Sequence, residues 1–292
     1  MTRFGDLNPA IIAVWFFTVT GIAMFSNFPI ISGITLVGGV TLFVVRNKRE
    51  HLRTHFFFAM LFVILALANP IVSHNGKTIL FVMNDNPVTL EAFLYGLNSS
   101  AMIVGVLYLF RSFTQILTSE KLLYITGFLS PKIAMVLTMA IRFVPLFGQQ
   151  GRKVSDVQKA MGMYAEDNVI DDISGHMRVF SSVSTWALEN GIVTADSMAA
   201  RGFGSGKRTQ MRRFGFRLCD GIFLLFTAVF GGICAFATAA EQLVFSFYPS
   251  LSTMQTGALG KCGISAYFLL LTMPVFIETE ASIRWRSLQS RI

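Results

Sequence analysis

Long apolar runs separated by short polar segments dominate the pattern of this chain. Six runs, at roughly 9–26, 28–45, 55–72, 92–110, 220–240 and 262–281, are each close to the ~20 residues that a membrane-spanning helix needs. Soluble cores rarely contain so many apolar segments of this length. The pattern therefore predicts an all-α polytopic membrane protein with about six transmembrane helices, the first of which is retained rather than cleaved as a signal peptide.

The segment between the fourth and fifth runs, residues 111–219, has a different pattern. Its first predicted helix is "SPKIAMVLTMAIRFVPLF" (130–147), where Ser130 and Pro131 suit the N-cap and the first helical position. We expect this helix to end at Pro145, because proline cannot donate the next helical hydrogen bond.

Two amphipathic helices are predicted further along the same segment. "GRKVSDVQKAMGMY" (151–164) has apolar residues at helical spacing, and "HMRVFSSVSTWALENGIVTADSMAARG" (176–202) predicts a long helix. Its expected apolar face contains Phe180, Val183, Ala187 and Val193. We therefore divide the chain into N-terminal spans (1–110), a domain of amphipathic helices with no span of its own (111–219), and C-terminal spans with a short tail (220–292).

The positions of the cations predict the orientation in the membrane. The net charge is +8, and an N-terminus on the inside places every one of the 24 lysines and arginines except Lys77 and Lys261 on the cytoplasmic side. Cytoplasmic loops of membrane proteins are enriched in these residues. We expect both termini and residues 111–219 to be cytoplasmic, and the basic charge needs no nucleic-acid partner.

Several kinds of binding site are not supported by the motifs. "GFGSGKRT" (202–209) differs from a phosphate-binding loop, since Arg201 and Arg208 stand where glycine and Ser or Thr are required. His51 and His55 in "HLRTH" have metal-ligand spacing but lack the further histidine pairs of a membrane di-iron enzyme. We predict no bound metal and no cofactor.

The sequence also gives no support for an enzymatic function or for ion-coupled transport. The three cysteines, Cys219, Cys234 and Cys262, are expected to pack as small apolar side chains. No nucleophile–base arrangement is recognisable, so we do not expect an enzyme. The interiors of the six runs have no evident buried charge of the kind that ion-coupled transporters use.

A dense group of cations follows the long predicted helix. That helix ends in Ala200, Arg201 and Gly202, where a C-terminal glycine cap is expected. Behind it, close to the fifth run, come Lys207, Arg208, Arg212, Arg213 and Arg217. Cations in this position bind anionic lipid headgroups and fix the orientation of the adjacent span.

Three elements of the chain together resemble the transmembrane T component of energy-coupling-factor (ECF) transporters. They are "PVTLEAFLYG" (87–96), "AIRFVP" (140–145), which contains Arg142 and Pro145, and "MAARGFG" (198–204). The resemblance covers most of the chain and is densest from about residue 90 to 204. It implies a prokaryotic plasma-membrane scaffold that joins two ABC-type ATPase subunits to a small membrane S component, which captures a vitamin or metal. In that family Arg142 and Pro145 would be structural.

The resemblance also implies two docking motifs, each of sequence Ala-Arg-Gly, at the ends of two coupling helices. The second corresponds to Ala200, Arg201 and Gly202, whose arginine would dock into a groove on an ATPase. The first corresponds to Ala160, Met161 and Gly162, so methionine replaces the arginine. We expect an apolar contact there, and hence two non-identical ATPases or one weaker docking site.

Two other functions stay open at the level of sequence. One is a stand-alone membrane permease or channel with a cytoplasmic regulatory domain, which would purify without ATPases. The other is an integral membrane enzyme, for which the chain offers no catalytic residues.

Overall fold

The computed structural model describes residues 4–46, 52–73, 76–83, 86–162, 169–206, 214–243, 245–248, 251–252 and 257–289. These residues form nine α-helices, a two-stranded antiparallel sheet and one 3-10 turn at Phe4–Asp6. The elements are α1 (Pro9–Phe25), α2 (Pro29–Arg46), α3 (Leu52–Val72), β1 (Ile79–Met83), β2 (Asn86–Thr89), α4 (Leu90–Ile116), α5 (Ser119–Leu129), α6 (Pro131–Ala160), α7 (Val169–Ala200), α8 (Leu218–Ala239) and α9 (Ala258–Gln289).

The prediction of an all-α polytopic membrane protein is confirmed. Six helices, α2, α3, α4, α6, α8 and α9, are long and apolar enough to cross a membrane, and α1 is a shorter apolar helix of 17 residues. One of the six, α6, lies in residues 111–219, where we expected no span, and it runs for 30 residues without a break.

We predicted that this helix would end at Pro145. In the structure Pro145 lies inside α6, and the helix continues beyond it. Proline removes one N–H from the helical ladder, but the backbone on both sides keeps its helical conformation. The predicted helices at 130–147 and 151–164 are therefore one element, which ends at Ala160.

The chain forms two compact units by contact, one of residues 1–122 with 214–292 and the other of residues 123–213. In the first unit, α2 packs closely on α4 at two facing glycines. A methyl group on Gly39 would lie 2.8 Å from the carbonyl oxygen of Gly105, and one on Gly105 would lie 2.8 Å from the amide nitrogen of Leu36. Small residues allow this close approach of helices in a membrane.

Buried polar contacts join α9 to α1 and α2. The indole N–H of Trp15 donates to the carbonyl oxygen of Leu270 at 3.0 Å, and the hydroxyls of Thr35 and Tyr267 lie 2.7 Å apart. Both contacts lie in the apolar interior, where an unpaired polar group would be destabilising. They fix the rotation of α9 against its neighbours.

The Thr-Glu pair at the start of α4 has a local structural role. Thr89 is the N-cap, and its hydroxyl accepts a hydrogen bond from the N–H of Ala92 at 3.3 Å. The carboxylate of Glu91 is buried and accepts from the N–H of Thr78, 3.3 Å from each oxygen. The pair thus holds the preceding loop against the first turn of α4.

Candidate docking interface

Helices α6 and α7 form an antiparallel hairpin within the second unit. The rings of Phe147 and Trp186 meet edge to face, with centroids 6.0 Å apart, and a methyl group on Gly151 would lie 3.8 Å from Cγ2 of Val183. As the contacts advance along α6 they retreat along α7, so the two helices run in opposite directions.

The second predicted docking motif forms a complete glycine-capped helix end. Gly202 has a φ of +77°, and its N–H donates to the carbonyl oxygen of Ala199 at 3.0 Å. The N–H of Phe203 donates to the carbonyl oxygen of Met198, also at 3.0 Å. These two bonds define the Schellman motif, in which a left-handed residue satisfies the last free carbonyls of a helix. The predicted glycine cap is confirmed.

Arg201 is the C-cap residue of this helix end, and its side chain is exposed. A helix C-terminus carries a partial negative charge, which favours a cation here. The turn that follows is closed by Ser205, whose hydroxyl donates to the carbonyl oxygen of Gly202 at 2.7 Å. The cap therefore presents a guanidinium at the tip of α7.

The first motif also ends in a left-handed glycine but has a different side chain before it. Gly162 has a φ of +68°, and its N–H donates to the carbonyl oxygen of Lys159 at 3.0 Å. Met161 is the C-cap of α6 and is 65% exposed. Ala160 and Ala200 are the last residues of their helices. The two Ala-X-Gly sequences thus share a left-handed glycine and the hydrogen bond from its N–H, one with a thioether and one with a cation at the tip.

The two tips leave the hairpin contact in opposite directions. Measured from the contact of Phe147 with Trp186, Met161 lies about 21 Å further along α6 and Arg201 about 22 Å further along α7, at about 1.5 Å per residue. Because the helices are antiparallel, the tips are on the order of 40 Å apart. One hairpin therefore offers two separate contact points.

The hairpin leaves much of its apolar surface exposed. No described residue of α6 is buried. On α7 the partly covered face includes Val183, Trp186 and Ala187, whereas Phe180 and Val193 are 67% and 61% exposed. Of the four residues of the predicted apolar face, Val183 and Ala187 are thus partly covered, and Phe180 and Val193 are exposed.

A second apolar stripe runs along the exposed side of α7. It consists of Ile173, Met177, Phe180, Leu188 and Ile192, with exposed fractions of 58%, 62%, 67%, 71% and 64%. Their spacing places them on one side of the helix. An exposed apolar stripe of this length is typical of a surface that binds another protein or a membrane.

The other predicted site residues are the two structural residues of α6 and the five cations before α8. Arg142 and Pro145 are exposed within α6, so their structural role stays a prediction. Arg217 is exposed at the start of α8, where its backbone N–H donates to Asp220 at 2.9 Å. Lys207, Arg208, Arg212 and Arg213 lie outside the described residues.

Two features of the molecule were not identified from the sequence. Phe203 completes the cap behind Arg201, and a hydrophobic residue directly after a capping glycine is a signal for this motif. Asp220 is 2% exposed and accepts from the N–H of Asn8 at 3.1 Å as well as from that of Arg217. Asp220 thus joins the starts of α1 and α8, a contact that only the fold brings together.

No group of three or more metal-ligating side chains is found among the residues that the structure describes. No protein-family model matches the chain, and no curated protein matches it at the level of its sequence.

Proposed function

We propose that this chain is the membrane scaffold subunit of an ECF-type ABC importer. In this function it binds two ABC-type ATPase subunits at the tips of α6 and α7 and carries a substrate-binding S component for a vitamin or a metal. ATP hydrolysis takes place in the partner ATPases and not in this chain. Both termini would face the cytoplasm of a prokaryote.

The similarity of the two helix ends carries the proposal. Ala160–Gly162 and Ala200–Gly202 have the same left-handed glycine and the same exposed C-cap position, on two helices of one hairpin. A single glycine cap is common at helix ends. Two with an Ala-X-Gly sequence, pointing in opposite directions, are the arrangement that a scaffold needs to hold two partners at once.

The mechanism would be mechanical. When the ATPases close on ATP, they would draw the two tips of the hairpin towards each other or let them separate. The hairpin is held at its centre by Phe147 and Trp186, so a movement at either tip turns its helix about that contact. The exposed stripe of α7 would transmit this movement to the S component.

Substitution of Arg201 tests whether the tip of α7 binds an ATPase. A planar, permanently charged guanidinium suits a carboxylate-lined groove. Reversing a desolvated charge pair should cost at least about 2–5 kcal/mol. An arginine that only caps a helix contributes about 0.3–1 kcal/mol through the helix dipole. The two roles therefore differ by enough to measure.

The experiment is affinity purification of the tagged chain from solubilised membranes, with substrate uptake measured in parallel. We expect the wild-type chain to carry two ATPase subunits and one small membrane protein. Arg201→Glu should be inserted and expressed normally but lose most of the ATPase and all uptake. Arg152→Glu is the matched control, since Arg152 is an exposed arginine of α6 away from both tips.

Purification of the wild-type chain alone, with uptake intact, would support the permease or channel instead. Equal ATPase recovery by Arg201→Glu and Arg152→Glu would reduce Arg201 to a helix cap. A Glu→Arg change in the ATPase groove that restores binding to Arg201→Glu would establish a direct ion pair.

A further inference from the structure

A polar cavity of about 460 Å³ lies in the first unit, at the ends of α2 and α4. Its charged lining consists of two cations, Arg46 and Lys121, and two carboxylates, Asp6 and Glu278. Gln115 and Thr118 add an amide and a hydroxyl. Its volume is within the range of small-ligand sites, about 300–1,000 Å³.

The two cations converge on the N-terminal segment. A methyl group on Gly5 would lie 3.9 Å from Nζ of Lys121 and 4.0 Å from each terminal nitrogen of Arg46. The Lys121 ammonium donates to the carbonyl oxygens of Gly5 and Ile116, at 2.5 and 3.0 Å. An ammonium has three N–H groups, so one can donate to a ligand as well.

The charges of the cavity act on one another. Burial and the neighbouring Arg46 lower the pKa of Lys121, and Asp6 opposes that shift. Glu278 accepts from the backbone N–H of Phe4 at 3.2 Å, which keeps its carboxylate at the cavity wall. The four charged groups sum to zero, so a lone anion or a lone cation would always meet two groups of its own sign.

An apolar groove of about 630 Å³ lies between two of the helices that line the cavity, α2 and α9. It is bounded by Gly33 and Val37 of α2 and by Phe268 and Phe276 of α9, among other residues. Its last lining residues, Thr41 and Thr279, lie within two turns of Arg46 and next to Glu278 along their helices. A polar cavity and an apolar groove thus share the same two helices.

We propose that this combined site binds one zwitterionic aminophospholipid, with a phosphoethanolamine headgroup in the cavity and an acyl chain in the groove. The phosphate would lie against Arg46 and Lys121, and the ammonium against Asp6 and Glu278. A primary ammonium donates hydrogen bonds to carboxylates, whereas a choline headgroup has no N–H to donate. The ends of the apolar spans α2 and α4 are at the depth where a lipid headgroup is found.

Native mass spectrometry of the delipidated full-length chain tests this assignment. The chain is given an equimolar mixture of phosphatidylethanolamine, phosphatidylcholine and phosphatidylglycerol with the same acyl chains. We expect phosphatidylethanolamine to be retained at least about tenfold over each of the others, because one charged hydrogen bond changes affinity by about that factor. Equal retention of the three lipids would overturn the proposal.

Two variants of residues that line the cavity test the proposed contacts with the headgroup. Arg46→Gln should lose the preference, and Arg53→Gln, an exposed arginine at the start of α3 outside the cavity lining, should keep it. Glu278→Gln leaves the cavity net positive and should shift the preference towards phosphatidylglycerol. A merely structural role of Glu278 would not change the sign of the selection. Unchanged selection in both Arg46→Gln and Glu278→Gln would overturn the proposal.

The acyl chain is tested separately. Neither Gly33 nor Gly21 has a neighbouring atom within 4 Å of an added methyl group, but only Gly33 lines the groove. Gly33→Phe should reduce lipid retention, and Gly21→Phe should not. Soluble glycerophosphoethanolamine should compete with the lipid only at much higher concentration. Competition at equal concentration would mean that the cavity takes a soluble zwitterion and would overturn the lipid assignment.

Discussion

Trp186 of α7 meets Phe147 of α6 edge to face, with ring planes at 83°. This contact is the midpoint of the hairpin, and each helix continues beyond it to a glycine-capped tip. No described residue of α6 is buried, so the helices of the hairpin meet along a partly exposed surface in which this pair is the aromatic contact described between them. The stability of the hairpin should therefore depend strongly on this pair.

Trp186→Ala should loosen the hairpin without disturbing the first unit. Edge-to-face pairs contribute about 0.5–1.5 kcal/mol beyond the burial of their surface. Hydrogen exchange on the full-length chain should be faster in both α6 and α7, by about tenfold, with α2 and α4 unchanged. Leu188→Ala is the control, because Leu188 is 71% exposed on the same helix. Similar exchange in the two variants would mean that the aromatic pair does not hold the helices.

The left-handed glycines predict opposite effects for the same substitution at different sites. Gly202→Ala and Gly162→Ala should each destabilise their helix end by about 1 kcal/mol, because an L residue is strained at positive φ. Gly191→Ala, in the interior of α7 with no atom within 4 Å of the new methyl group, should stabilise the helix by about 0.5–1 kcal/mol.

Exchange of the Phe203 amide measures the first of these effects, because that N–H closes the cap on Met198. It should be faster in Gly202→Ala and close to normal in Gly202→Asn, since asparagine tolerates this conformation. A Phe203 amide that exchanges equally slowly in Gly202→Ala would show that the cap does not need glycine.

The orientation in the membrane can be measured with single cysteines in a cysteine-free chain. An impermeant maleimide added outside the cell should label Lys77→Cys and Ser252→Cys. It should label Ser205→Cys only after the membrane is permeabilised, although Ser205 is exposed in the structure. Strong labelling of Ser205→Cys in intact cells would reverse the predicted orientation and remove the helix tips from the reach of cytoplasmic ATPases.

Local signals in the sequence predicted much of this fold. The features that were not predicted depend on contacts between residues far apart in the sequence. Apolar runs indicated the spans, Ser130 and Pro131 the start of α6, and Gly202 the end of α7. The helix end predicted at Pro145 was wrong. A proline inside a helix destabilises it by about 3 kcal/mol, and the helical residues on both sides of Pro145 outweigh that cost. The polar cavity could not be predicted, since Gly5, Arg46, Lys121 and Glu278 come together only through the packing of four separate segments.

The difference between Met161 and Arg201 gives the last prediction. If α6 docks through an apolar contact and α7 through an ion pair, the two tips should respond differently to salt. Arg201→Ala should weaken ATPase binding and remove most of its salt dependence, because added ions screen exposed charge pairs. Met161→Ala should weaken binding by about tenfold at every salt concentration, since burial of a methionine contributes about 1.5–3 kcal/mol. Arg152→Ala serves as the control at both salt extremes.

Met161→Arg separates the two possible chemistries of the first docking groove. An apolar groove would have to desolvate the new guanidinium without a partner, so binding should fall further than in Met161→Ala. A groove that has kept carboxylates would bind Met161→Arg more tightly than the wild-type chain, and salt would weaken the added affinity. Titration of the purified ATPase against the chain in nanodiscs, at low and high salt, measures both effects. Tighter, salt-sensitive binding by Met161→Arg would contradict the asymmetric scaffold, because the two tips would then meet the same kind of groove.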